Sequence, residues 1–300
     1  MADFPPFPDY DDPLYRPPSE GDNLIIQATI GCGFNQCTFC SMYHSKRFAI
    51  KPLAATFADI DQAAQIWPHA HRVFLADGDA LCLPTDHLLE ILVHLKKRLP
   101  KLTRVSCYAT PGDLLKKSLS ELETLKNNKL TLLYYGIESG YDLLLKIIRK
   151  GANQQSMIEG LQKAAQAGLK VSATVVLGLG GQTLWQPHID HTVTLLEKAP
   201  VHYLSTLQLM LAPAIKEAFL SRFDPPFVVQ EDDAILEEQK RLLSGLTTLP
   251  RRIIFRSNHA SNALALAGTL PKDRERLLAE IEACQTDDDT RLRPFWLRSL

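Results

Sequence analysis

The sequence predicts an α/β fold, and three observations carry that prediction. Short apolar, often β-branched runs alternate with helical patterns six times between Leu24 and Leu211. The segments between them are long enough for crossover connections, so the strands pair in parallel through right-handed crossovers. The chain has 300 residues, 45% hydrophobic and 22% charged, the composition of one large packed domain or a large domain with an appendage. A doubly wound sheet and an open or closed barrel both satisfy the pattern, and in either the reactive edge lies at the carboxyl ends of the strands.

Residues 1–21, rich in Pro, Asp and aromatics, lack periodicity and read as an extended arm that wraps the body. Strands are predicted at Leu24–Ile30, Val73–Ala76, Leu102–Ala109, Leu130–Ile137, Leu169–Leu177 and His202–Leu211. Helices are predicted near 56–67, 85–98, 113–127, 141–167 and 183–198. Residues 22–212 thus form the core. The remainder, 213–300, reads as a smaller α-rich extension packing on it, with a helix near 230–246, a strand at Arg252–Arg256 and a helix near 271–284.

Lys and Arg number 33 and Asp and Glu 34, a formal charge of -1, so no strong field for nucleic acid or an anionic membrane is expected. No apolar run approaches the ~20 residues that span a bilayer, and the N-terminus lacks the basic start and apolar stretch of a secretory signal. A cytoplasmic location is expected. Six cysteines are too few for a disulfide scaffold, yet three of them lie within nine residues.

That cluster, Gly31-Cys32-Gly33-Phe34-Asn35-Gln36-Cys37-Thr38-Phe39-Cys40, begins where the first predicted strand ends. Flanking glycines let the backbone curl so that thiolates converge. Closely spaced loop cysteines hold iron–sulfur clusters, and three of them leave one iron of a [4Fe-4S] cluster open to a cofactor or substrate. The rival readings are a zinc site with His44 as fourth ligand and three unrelated core cysteines.

The loop resembles the hallmark of the radical S-adenosylmethionine superfamily, including the aromatic Phe39 directly before the third cysteine. It departs from the usual spacing by holding four residues, not three, between Cys32 and Cys37. Further stations at strand ends resemble the superfamily's cofactor contacts: Asp77-Gly78-Asp79, Glu138-Ser139 with Arg149 eleven residues on, and Gly178-Leu179-Gly180-Gly181. Residues 15–20 and 257–262 resemble a group of radical proteins with an elongator-type radical domain.

The resemblance implies a partial (β/α)6 barrel, a relative of the TIM barrel, holding a [4Fe-4S] cluster on Cys32, Cys37 and Cys40. It implies cofactor contacts from Phe39, Asp77, Gly78, Asp79, Glu138, Ser139, Arg149, Thr174, Gly178 and Gly180. It further implies reductive cleavage of S-adenosylmethionine to a 5′-deoxyadenosyl radical, with electrons from a donor such as flavodoxin or ferredoxin. The substrate is a small or unidentified molecule, and nucleic acid and membrane are disfavoured. The alternative is a non-catalytic zinc or iron–sulfur interaction module.

Strand phase places Arg104, Ser106 and Tyr108 on one face of the third strand, opposite Val105, Cys107 and Ala109. Likewise Ser172 and Thr174 oppose Val171, Ala173 and Val175, and His202, Thr206, Gln208 and Met210 oppose Tyr203, Leu207 and Leu209. The polar sets are expected to face a cavity lined by Tyr108, Thr174 and Gln208. Tyr108, Cys82, Gln208 and His259 are the catalytic candidates. Cys107 and Cys284 are expected to be inert core residues, Lys46 and Arg47 to face solvent, and Ser257 or Asn258 to cap a helix.

Overall fold

The structure is a computed structural model that describes residues 8–286 and 291–299. Its chain groups into two compact units. The first takes residues up to Asn35, Met42–Tyr135 and Lys163–Lys170; the second takes Gln36–Ser41, Gly136–Gln162 and Val171 onward.

In the first unit the arm makes a single 3-10 turn at Pro18–Glu20 before β1, Leu24–Gln27. The predicted first strand breaks at Ala28. Its last two residues form a separate β2, Thr29–Ile30, paired antiparallel with β3, Ala49–Ile50, so a short ribbon closes the base of the cysteine loop. There follow α1 (Leu53–Ile66), β4 (Arg72–Ala76), α2 (Thr85–Arg98) and β5 (Arg104–Ala109). The helix predicted over 113–127 is two, α3 (Pro111–Lys116) and α4 (Leu119–Asn127). Ser118 starts the second one through a capping box with Glu121. Strand β6, Leu130–Glu138, runs on into the second unit. Strands β1, β4, β5 and β6 pair in parallel, and Phe74, Leu75, Val105, Cys107 and Leu133 are fully buried along them.

In the second unit the long helix predicted over 141–167 also divides. Its pieces are α5 (Asp142–Ile147) and α6 (Gln154–Gln166), separated by a turn in which Arg149 and Gly151 take positive φ. Then come β7 (Lys170–Leu177), α7 (Gly181–Lys198), β8 (Tyr203–Gln208), α8 (Pro213–Leu220), α9 (Asp232–Gly245), β9 (Ile253–Ser257), β10 (Leu266–Leu270) and α10 (Arg274–Thr286). Strands β7, β8 and β9 pair in parallel and β10 returns antiparallel to β9.

The strands form one mostly parallel eight-stranded sheet in the order β1-β4-β5-β6-β7-β8-β9-β10. The six predicted core strands are present. The C-terminal segment does more than pack on them, because it adds β9 and β10 to the sheet itself. No helix among the described residues is long and apolar enough to cross a membrane.

Candidate metal and cofactor site

The cysteine loop leaves β2 at Gly31, whose φ of +70° is left-handed and where a Cβ would stand 3.2 Å from the Lys46 Cβ. Gly31 donates its N–H to Asp77 Oδ2 at 2.9 Å, so the carboxylate at the end of β4 fixes the loop one residue before Cys32. The same oxygen accepts Gln27 Nε2 at 3.0 Å and Lys46 Nζ at 2.9 Å. Asp77 is fully buried, and its Oδ1 has no hydrogen-bond partner among the described residues. A buried carboxylate oxygen of this kind awaits a donor. The Tyr43 ring lies across Gly78 more closely than any Cβ would permit. Asp79 is buried, with Oδ2 3.0 Å from where a Cβ on Gly33 would stand.

Cys82 lies in the turn after Asp79. Burial, then the charges of Asp79, Asp113 and Cys32, push its thiol up to about 12, so it stays protonated near neutrality. Tyr108 meets Phe74 edge-on at 5.2 Å and Tyr134 at 6.0 Å, forming an aromatic layer on the face that also carries Ser106. Cys107 is buried on the opposite face, as its phase predicts, and burial holds its thiol well above the ordinary value. His44 is exposed. Lys46 is not solvent-facing: it is buried, because Asp77 and Asp11 together neutralise it.

In the second unit, Cys37 and Cys40 share a tight turn (Cys40 N–H to Cys37 O, 3.3 Å), and Thr38 N–H bonds the Ile148 carbonyl at 3.0 Å. That bond ties the loop to the turn between α5 and α6, and the turn presents Lys150. Lys150 Nζ lies 3.0 Å from Glu138 Oε1, both side chains one-tenth exposed. Burial opposes its charge, but Glu138, Cys37 and Cys40 outweigh that and hold its pKa above the ordinary lysine value. In this turn it is thus Lys150 whose side chain is largely buried and paired, whereas Arg149 is exposed with φ +54°. Phe39 and Thr174 are half-buried, Thr174 on the face opposite the buried Val171, Ala173 and Val175.

Two predicted residues have other duties. Ser139 is fully buried: its hydroxyl donates to His188 Nδ1 at 2.8 Å and accepts from Tyr141 N–H at 3.0 Å. His188 Nε2 faces the Val176 carbonyl at 3.1 Å, so Nε2 carries the proton; burial lowers this histidine to about 4 and keeps it neutral. Ser139 thus ties β6 to α7. Gln208 is engaged within the C-terminal segment: its backbone N–H bonds Asn262 Oδ1 and its side chain bonds Ala263 N–H and Asp232 Oδ1. Thr206, on the same face, meets Gln239 of α9. The polar face of β8 is answered by polar residues of the C-terminal segment, which reverses its expected phase. His259 is held by Ser261 through Nδ1, and Ser257 and Asn262 belong to one buried bond network, not to a helix cap.

The glycine turn after β7 is anchored by a residue that went unpredicted. Gly178 has φ +78°, a Cβ there would stand 2.8 Å from Ile235 Cδ1, and its N–H donates to Glu238 Oε2 at 2.7 Å. Gly180 precedes the first turn of α7. Burial pushes Glu238 up to about 8, with the Gly178 N–H and then Gln230 offsetting only part. Between the ordinary carboxyl value and about 8, the folded chain holds one proton that the unfolded chain has released. Stability contributed by this site therefore declines as pH rises through that window and is level above it. Melting temperature followed from pH 5.5 to 9 should fall in the native chain relative to Glu238→Gln, by the equivalent of about 2–5 kcal/mol. Parallel profiles would show that Glu238 ionises normally.

The donor chemistry of the loop suits an iron–sulfur cluster: three thiols lie within nine residues, and the nearby His44 is exposed. None of the six cysteines is in a disulfide. No three His, Cys, Asp or Glu side chains among the described residues are already gathered as tightly as a metal ion would hold them.

The profile of the Radical SAM superfamily matches residues 26–192. A protein of Methanocaldococcus jannaschii, provisionally named as a methylthiotransferase, is 23% identical over 78% of this chain and 50% of its own length. A tRNA-2-methylthio-N(6)-dimethylallyladenosine synthase of Alkalilimnicola ehrlichii is 20% identical over 88% of this chain and 61% of its own. Among solved structures, coproporphyrinogen III oxidase of Escherichia coli, a radical SAM enzyme, superimposes with a TM-score of 0.57 at 16% identity, over 74% of this chain and 52% of that one. The chain thus spans from half to about three-fifths of the length of these relatives.

Proposed function

Because the chain belongs to the radical S-adenosylmethionine superfamily, whose profile covers more than half of it, we propose that it holds a [4Fe-4S] cluster on Cys32, Cys37 and Cys40 and cleaves S-adenosylmethionine reductively. Enzymes of this superfamily use that cluster and that cofactor. When bound, they supply the electron and the bond that breaks, giving methionine and a 5′-deoxyadenosyl radical that removes hydrogen from a substrate C–H bond.

The observation that carries this reading is Lys150. A largely buried cation, paired with Glu138 on the turn that Thr38 N–H grips, suits the negative charge of thiolates and of a cofactor carboxylate brought to an open iron. Lys150 thereby takes the role that the sequence suggested for Arg149. Asp77 supplies the complementary acceptor: its unpartnered Oδ1 suits the cofactor's ammonium group. The turn at Gly178 and Gly180 is the segment assigned to the adenine side of the cofactor, and Glu238 holds that turn in shape. An electron donor of the flavodoxin or ferredoxin type completes the reaction, and the substrate enters at the carboxyl edge of the strands.

Anaerobic reconstitution with iron and sulfide, followed by reduction with S-adenosylmethionine, is expected to yield 5′-deoxyadenosine. Cys37→Ala should abolish both the cluster's visible absorption and the product. A full cluster with no 5′-deoxyadenosine, or one zinc and no iron in anaerobically purified protein, would overturn the proposal.

A further inference from the structure

Lys46 is six residues beyond the last cluster cysteine, and the proposed chemistry gives it no role of its own. Its burial is therefore the feature that needs a reason, because an ammonium is left out of water only where partners surround it. Three groups do: Asp77 Oδ2 at 2.9 Å, the Asp11 carboxylate at 3.2 Å, and the Asp11 backbone carbonyl. The arm is held there from a second side. Gln27 Oε1 accepts the Asp11 N–H at 2.9 Å, and Gln27 Nε2 donates to the Asp11 carbonyl at 3.2 Å and to Asp77 Oδ2 at 3.0 Å. Tyr10 bonds the Ile25 carbonyl, and Tyr15 packs edge-on against Tyr43 at 5.5 Å.

One carboxylate oxygen, Asp77 Oδ2, thus receives the N–H that opens the cysteine loop, the ammonium that follows it and a side chain of β1. Taking three donors on Oδ2 fixes the carboxyl plane, and with it the direction of the unpartnered Oδ1. We propose that Lys46, clamped by the arm through Asp11, is a positioning residue that sets the cysteine loop and Asp77 as one unit, so that the arm is part of the cofactor site. This rests on the functional reading above. It gives the arm, which as a sequence reads as a segment wrapping the body, a part in the site.

The test compares the native chain, Lys46→Met and Asp11→Ala, each reconstituted anaerobically. Three quantities are read: melting of the apo-protein, half-life of the cluster under a ferrous chelator, and the change in the reduced cluster's EPR spectrum on adding S-adenosylmethionine. Lys46→Met is expected to shorten the half-life at least tenfold and to diminish the spectral change, while the apo-protein melts within a few degrees of the native chain. Asp11, whose side chain is half exposed, tolerates replacement; Asp11→Ala removes one of the three contacts and is expected to shorten the half-life about threefold. It also carries the test if Lys46→Met fails to fold. Native half-life and native spectral response in folded variants would overturn the proposal. Failure of the native chain itself to take up iron, or to cleave the cofactor, would instead overturn the functional reading.

Discussion

Lys150→Met is expected to lower 5′-deoxyadenosine formation by about 10²–10³-fold in a single turnover. The ammonium makes a charge-assisted bond to Glu138, an interaction of about 1.5–3 kcal/mol. Its loss also leaves the Glu138 carboxylate largely buried without its partner, a penalty of about 1–3 kcal/mol. A combined loss in the lower half of these ranges, about 3–4 kcal/mol, is two to three decades in rate. Lys150→Arg should retain most of the rate because it keeps the charge. Adding Glu138→Gln to Lys150→Met should recover part of it, since the uncompensated carboxylate is then gone. Equal product from native protein and Lys150→Met would remove this lysine from the site.

Glu20→Ala is expected to be among the most destabilising single changes in the chain. Glu20 is fully buried, and its Oε1 accepts from Arg104 Nη2 at 2.7 Å, Ser106 Oγ at 2.9 Å and the Tyr134 hydroxyl at 2.6 Å. Its Oε2 accepts from Asn23. Burial first, then the bond to Glu20, pushes the Tyr134 phenol well above its usual value, so the hydroxyl remains a donor. Alanine would strand Arg104, Ser106 and Tyr134 together, at about 3–5 kcal/mol. A melting temperature about 5–10 °C lower is the expected reading in a chain of this size. Glu20→Gln, which keeps an acceptor, should lose less than half as much. A shift under 2 °C for Glu20→Ala would mean that water replaces the carboxylate.

The strands of the core were legible because parallel strands buried on both faces read as continuous apolar runs; α2 was legible to its first and last residues. The breaks in the two long helices were harder to see. A capping box at Ser118 and a left-handed Gly151 interrupt patterns whose apolar spacing continues across them. Strand β10, carrying a glycine and followed by a proline, gives a weak strand signal and gains its place by pairing with β9. The phase of β8 failed for a different reason: alternation shows which residues share a face, not which side is polar, and here α9 supplied Gln239 and Asp232 to meet them.

At the site, the cysteine spacing and the glycine turn were readable, since few alternatives explain them. Glu238 left a trace that went unread, an acid three residues from Ile235 on the apolar stripe of α9 that also holds Leu242. Lys46 and Glu20 left none. A charged residue between polar neighbours looks the same in solvent and in a buried network until its partners, tens of residues distant, are placed.

The bonds of Glu20 reach 84 residues ahead to Arg104 and 114 ahead to Tyr134. Those partners lie on β5 and β6, so the Glu20 carboxylate is satisfied only once both strands are in place. Until then Glu20 lacks them, whereas Tyr10 and Asp11 find their partners on β1, next to the arm in sequence. The arm is thus secured twice, once to the adjacent β1 and once to β5 and β6 far along the chain.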